Sequence, residues 1–124
     1  MTELRPFKMA TGTTGAIGEL RVCVDLLKRG YNVFRAVSPS CPCDLMVCSG
    51  EQMWRVEVRT GNRLPSGKLS WFRGAREKSD IDAVPVKDED PISYYDHDGN
   101  ALDPDAWFCP IADSTEDFSS EEAA

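Results

Sequence analysis

Between Met53 and Thr60 the chain alternates without a break. Trp54, Val56 and Val58 fall on one face of an extended segment, and Arg55, Glu57 and Arg59 fall on the other. That period of two demands a β-strand with one apolar face, and it places a carboxylate, Glu57, in the middle of it. A charge at a strand centre is poorly solvated and needs a partner, and Arg55 and Arg59 are its next neighbours on the same face.

The elements around this strand follow from the same kind of pattern. Thr11–Gly15 is a turn-and-cap cluster, with Thr13 or Thr14 as the residue that caps a helix. The spacing predicts that helix over Ala16–Arg29, with Ala16, Leu20, Cys23, Val24 and Leu27 as its apolar stripe and Gly30 as its stop. Tyr31–Val37 is β-branched and aromatic and reads as a strand. Ser38–Cys43 holds two prolines and reads as a turn. Asp44–Cys48 is a short apolar strand that leads through the turn Ser49–Gln52 into the alternating one. Beyond it come a Gly/Pro loop over Gly61–Lys68, a short helix over Ser70–Lys78, and strands over Ile81–Val86 and Ile92–Tyr95. A turn at Asp98–Asn100 and an edge strand over Trp107–Ile111 follow, and residues from Ala112 onward have the composition of a disordered acidic tail. Hairpins rather than helices join the middle strands, so the expected architecture is a single α/β domain and not a doubly wound one.

Composition narrows the class of protein. The 124 residues are 41% hydrophobic and 28% charged, enough for one packed core and too few for two. No apolar run approaches the ~20 residues of a membrane span, and the N-terminus lacks the plan of a signal peptide. Five cysteines without such a signal point to reduced thiols and a cytoplasmic location. The net charge of −7 conceals a partition: Met1–Ser79 carries 13 basic and 7 acidic residues, and Asp80–Ala124 carries 1 and 14. Phosphate binding depends on local Lys/Arg density, so the basic part is suited to nucleic acid although the whole chain is acidic.

Three acids stand where acids are costly: Glu19 on the shoulder of the helix stripe, Asp44 at the head of Leu45-Met46-Val47, and Glu57. For each alone, a salt bridge is the simplest explanation. Pairing the Asp44 and Glu57 strands through their short turn brings the two carboxylates to one end of a hairpin. Hard cations such as Mg²⁺ take a few oxygen ligands of this kind, with water and phosphate completing the shell.

Gly15-Ala16-Ile17-Gly18-Glu19, Asp44-Leu45-Met46-Val47 and Val56-Glu57-Val58-Arg59-Thr60-Gly61 resemble the motifs of the PD-(D/E)XK nuclease superfamily. The nearest branches are archaeal-type Holliday junction resolvases and group I intron-associated homing endonucleases. Gly30-Tyr31-Asn32-Val33 and Asp80-Ile81-Asp82 match further elements of that pattern, and the resemblance spans Thr11–Val86. It implies a restriction-endonuclease-like αβββαβ core with a mixed central sheet flanked by helices. On that scheme residues 1–111 form the nuclease-like domain, with the motifs in 11–86, and 112–124 is the acidic tail. It further implies an endonuclease that hydrolyses DNA with Mg²⁺ or Mn²⁺. Asp44 and Glu57 would be the metal ligands, the Val58 carbonyl and Glu19 would complete the set, and Arg59 would be the remaining catalytic residue. Two departures stand out: Cys43, not proline, precedes Asp44, and Arg59 occupies the lysine slot. Arginine stays charged at any working pH, so it stabilises phosphoryl charge but does not serve as a base.

Arg63, Lys68, Arg73 and Arg76 follow the motifs, with Trp71 and Phe72 among them, a mixture suited to nucleic-acid backbone contact and stacking. For the aromatics the favoured reading is that they are core residues under a short basic helix. Cys41-Pro42-Cys43 with Cys48 is a poor match to zinc spacing, and Cys23 and Cys48 read as small buried hydrophobes. His97, between two aspartates, reads as an exposed loop residue. Cutting both strands of a duplex calls for two sites, which points to a homodimer. The rival readings are a nuclease-fold DNA-binding or assembly module without activity, favoured by Arg59, and a protein-interaction domain that contacts partners through its acidic part.

Overall fold

The structure, a computed structural model, describes residues 11–38, 40–73 and 79–108. Helix α1 spans Thr11–Lys28 and ends where Gly30 turns to a positive φ of 95°, with Gly30 N donating to Leu27 O at 2.9 Å and Tyr31 N to Leu26 O at 3.2 Å. The first turn includes Thr11–Gly15, so the separate capping turn expected there is corrected to helix. The buried row of α1 is also not the expected stripe. Val22 and Leu26 are fully buried, whereas Leu20, Val24 and Leu27 are exposed. Gly18 decides this orientation: a Cβ there would lie 3.2 Å from Pro85 Cγ, so the Gly18–Val22–Leu26 row is the one that can approach the sheet closely. Apolar residues occur nearly all round this helix, which is why periodicity alone did not choose the right face.

Strands β1 (Asn32–Arg35), β2 (Leu45–Ser49) and β3 (Gln52–Val58) form an antiparallel meander, and β6 (Ile81–Val84) pairs with β3 in parallel. Strands β7 (Ser93–Tyr95) and β8 (Ala101–Leu102) add antiparallel neighbours, giving a six-stranded mixed sheet in the order β1-β2-β3-β6-β7-β8. One face of the sheet carries Leu45, Val47, Val56, Ile81, Ala83 and Tyr94 and packs with Val22 and Leu26 of α1. The register places Glu57 opposite Asp82, so the other face carries acids at its centre. The single α/β domain with a mixed central sheet anticipated from the sequence is what forms.

A parallel pair needs a crossover, and here it runs through residues 59–80. The expected loop over Gly61–Lys68 is corrected to one strand and the turn of a hairpin, in which β4 (Asn62–Arg63) pairs with β5 (Leu69–Ser70). A Cβ on Gly61 would meet Val84 Cγ1 at 2.6 Å and Leu69 Cδ1 at 2.9 Å, so only glycine lets the hairpin sit against β6. Ser70 therefore belongs to a strand and Trp71–Arg73 are not helical, which corrects the start of the expected helix over 70–78; residues 74–78, including Arg76 and Lys78, lie outside the described residues. The far end of the crossover is fixed by Asp80, which accepts the Arg55 backbone N–H at 2.8 Å and its guanidinium at 3.1 Å, while Asp80 N donates to Arg55 O at 2.8 Å.

The expected edge strand over 107–111 is corrected as far as Phe108, because Pro104–Phe108 forms the short helix α2. Asp103 Oδ1 accepts the Asp105 N–H at 3.0 Å and Pro104 stands in the first helical position, a helix start that outweighs the β-forming residues after it. Residues 109–124, with the acidic tail, lie outside the described residues. Among the described residues no helix is long and apolar enough to cross a membrane.

Candidate active site

Leu45 registers against Val56, so the residue before β2, Asp44, comes beside Glu57 on the antiparallel neighbour. Asp44 is anchored there: its Oδ2 accepts the Val58 backbone N–H at 2.9 Å. Two carboxylates far apart in sequence thus share one end of the β2–β3 hairpin. Burial pushes the Glu57 carboxyl up to about 7, and the negative charge of Asp44 adds to that rise against the pull of Arg59. Arg59 pairs with Glu57 at 3.4 Å, and both side chains are largely enclosed, 24% and 15% exposed. The pair is incomplete, because Glu57 Oε1 and Arg59 Nε are buried without a hydrogen-bond partner. Arg55, the other expected neighbour of Glu57, is committed to Asp80 instead.

Asp82 is the acid that sequence reasoning did not count as part of the site. It is 8% exposed, stands opposite Glu57 on β6, and accepts the Trp71 indole N–H at 3.3 Å. Burial pushes its carboxyl up, opposed by the Trp71 bond and by the charges of Arg59, His97 and Arg73. The signal for it was the second acid of Asp80-Ile81-Asp82, whose first member is structural. Trp71 in turn stacks on Tyr95 with ring centroids 4.1 Å apart. Phe72 turns the other way, 74% exposed, with the Arg59 guanidinium 5.3 Å from its ring centre.

Glu19 is not brought to the Asp44–Glu57 pair. It binds Arg35 at 3.2 Å, and Arg35 registers against Leu45, so this ion pair stands at the border of the site rather than in it. Arg63 is engaged by Glu89 at 3.1 Å, whereas Lys68 and Arg73 are exposed. The four described cysteines are free. Cys43 is the buried one and Cys23 and Cys48 are half-buried, a correction that follows from Cys43 filling the core beside Asp44 in the place the motif gives to proline. His97 is half-buried in its turn, not exposed. A cavity of about 470 Å³ lined by Gly18, Arg21, Thr60, Pro85 and Glu89, among others, does not include Asp44, Glu57 or Asp82.

The sequence profile of the PD-(D/E)XK endonuclease family matches residues 9–102. The chain belongs to the PD-(D/E)XK endonuclease family. Its fold agrees: the structure of the bacterial homing endonuclease I-Ssp6803I superimposes with a TM-score of 0.62 at 14% identity, covering 73% of this chain and 71% of that one. A comparison with curated proteins gives no significant match.

Membership in this family raises the question of a divalent metal. Among the described residues, no group of three or more His, Cys, Asp or Glu lies close enough to hold one. The donors present are the two carboxylates of Asp44 and Glu57, and one Glu57 oxygen is buried without a partner. That set fits Mg²⁺, which is commonly held by one or two carboxylates together with water and substrate phosphate. It does not fit zinc, which wants nitrogen and sulfur donors in a closed tetrahedron.

Proposed function

We propose that this PD-(D/E)XK family member is a metal-dependent endodeoxyribonuclease that hydrolyses DNA phosphodiester bonds. The observation that carries the reading is the juxtaposed Asp44–Glu57 pair with its unsatisfied buried oxygen. Asp44 and Glu57 would hold Mg²⁺ or Mn²⁺, with the Val58 carbonyl as a further donor. Bound metal supplies Lewis acidity at a phosphoryl oxygen and a water of lowered pKa. Asp44 keeps its orientation through the Val58 N–H, which holds its carboxylate beside that of Glu57. Arg59, charged at every working pH, neutralises the charge that builds on the phosphate, and its unpaired Nε is a donor held ready for that role. Glu19 acts in support by fixing Arg35 at the edge of the site. Lys68 and Arg73 offer cations to the DNA backbone, and Arg63 joins them on leaving Glu89. A homodimer would present two such sites to the two strands.

Arg59 in the lysine slot also favours a second reading, a DNA-binding module that keeps the fold without the reaction. Supercoiled plasmid and a four-way junction, incubated with Mg²⁺, Mn²⁺ or EDTA, separate the two. The nuclease reading expects nicking with metal and none with EDTA. Salt-sensitive DNA binding with intact DNA under every condition would establish the module instead.

A further inference from the structure

The two neighbouring aromatics between β5 and β6 have opposite fates. Trp71 is tied inward by its bond to Asp82 and its stack on Tyr95. Phe72 projects outward, 74% exposed, and unlike the other exposed apolar residues it carries a guanidinium from the acid pair on its ring. Nothing in the core uses it. One ring face lies against the Arg59 guanidinium at 5.3 Å, and Arg59 holds Glu57 at 3.4 Å. Among the described residues no other ring or cation lies against Phe72; Lys68 and Arg73, both exposed, line a separate groove with Trp71 and Gly99.

Resting on the nuclease reading, we infer that Phe72 is a specificity-determining residue that stacks on an unpaired base next to the phosphate addressed by Arg59, so that the site prefers DNA with an unstacked base. Every base offers a π-face to such a ring, and Arg59 beside it takes the adjoining phosphate. In fully paired duplex the bases are shielded by their neighbours, and the ring gains no such partner. Stacking on the other face completes a layer of base, phenyl and guanidinium. It also holds Arg59 in place against Glu57, which couples recognition to the acid pair. Trp71 cannot take this part, since both its N–H and a ring face are already occupied.

The test uses the full chain in EDTA, so that binding is read without cleavage. Fluorescence anisotropy compares a fully paired oligonucleotide duplex with the same duplex carrying one unpaired base, for wild type, Phe72→Ala and Phe72→Trp. Stacking contributes about 1–3 kcal/mol per base, so wild type is expected to prefer the unpaired-base duplex by ~5- to 150-fold. Phe72→Ala is expected to lose that preference while binding paired duplex within about threefold of wild type, and Phe72→Trp is expected to keep it. Circular dichroism confirms that each variant is folded. Equal binding of the two duplexes by wild type, or a preference that survives in Phe72→Ala, would overturn the inference and leave the nuclease reading standing. Absence of binding to either duplex at low salt would overturn both.

Discussion

Arg59 and Glu57 form an ion pair at 3.4 Å in which each residue keeps one buried polar atom, Nε and Oε1, without a hydrogen bond. A buried unsatisfied polar atom costs about 1–3 kcal/mol, more when it belongs to a charged group. Two of them meet in one contact beside a second carboxylate, and on the proposed function they are a reserve of charge for what arrives later. Phosphate and a divalent cation are the arrivals that would satisfy both atoms.

The cost of that reserve is measurable as stability. The Glu57 carboxyl sits at about 7 when folded against an ordinary value of 4.5, so the folded protein binds the proton more tightly than the unfolded chain does. A raised acid destabilises the fold as pH climbs from about 4.5 to 7, and the full penalty is present above that window. Glu57→Gln, with metal removed, is therefore expected to be more stable than wild type at pH 8 by on the order of 1–3 kcal/mol. The difference should vanish near pH 4. Urea unfolding at the two pH values measures it, and a variant less stable than wild type at pH 8 would contradict the assignment.

Asp80 predicts the opposite dependence. Although partial burial works against its charge, hydrogen bonds and the positive charge of Arg55 hold its carboxyl below the ordinary range. A depressed acid contributes stability above its unfolded pKa and loses it as pH falls through the lower folded value. Asp80→Asn should cost about 1–2 kcal/mol at pH 7, and the gap to wild type should close at the acid end. Thermal melts across pH 3–7 read this directly.

Gly61 is the hinge on which the hairpin sits. Gly61→Ala would drive a methyl into Val84 and Leu69, and overpacking of that kind costs about 1–3 kcal/mol. The melting temperature should fall, and DNA affinity should fall with it, because Lys68 moves with the hairpin. A variant with unchanged melting temperature would show that the hairpin does not rest on β6 as described.

Arg59 separates charge from geometry. Arg59→Ala should lower the cleavage rate by about 10²–10³-fold, the usual cost of one donor at a developing charge. Arg59→Lys restores the residue that the motif prefers and keeps the charge, so its rate should stay within about tenfold of wild type. Single-turnover cleavage of a defined duplex compares the three proteins.

Much of this site was legible in the sequence, for definite reasons. The period of two in Met53–Thr60 fixed which side of β3 carries Glu57, and the short turn after Asp44–Cys48 brought Asp44 to it. Asp82 was hidden because Asp80 and Asp82 look alike in sequence, and only pairing with a strand more than twenty residues away separates the buried acid from the one tied to Arg55. The face of α1 was misread because Ile17, Leu20, Val24 and Leu27 form a stripe as apolar as the buried row; Gly18 and its contact with Pro85 chose between them. The engagement of Glu19 by Arg35 likewise depends on a strand placement that spacing does not encode.

If Asp44 and Glu57 together make a metal-dependent catalytic pair, neither carboxylate can be neutralised without loss of cleavage. The measurement that tests it most directly is the single-turnover rate of DNA cleavage in Mn²⁺ for wild type, Asp44→Asn and Glu57→Gln, each shown to be folded. Wild type should cleave, and both variants should lose at least about 100-fold, the scale expected when a group that stabilises developing charge is removed. Cleavage by either variant within threefold of wild type would contradict it.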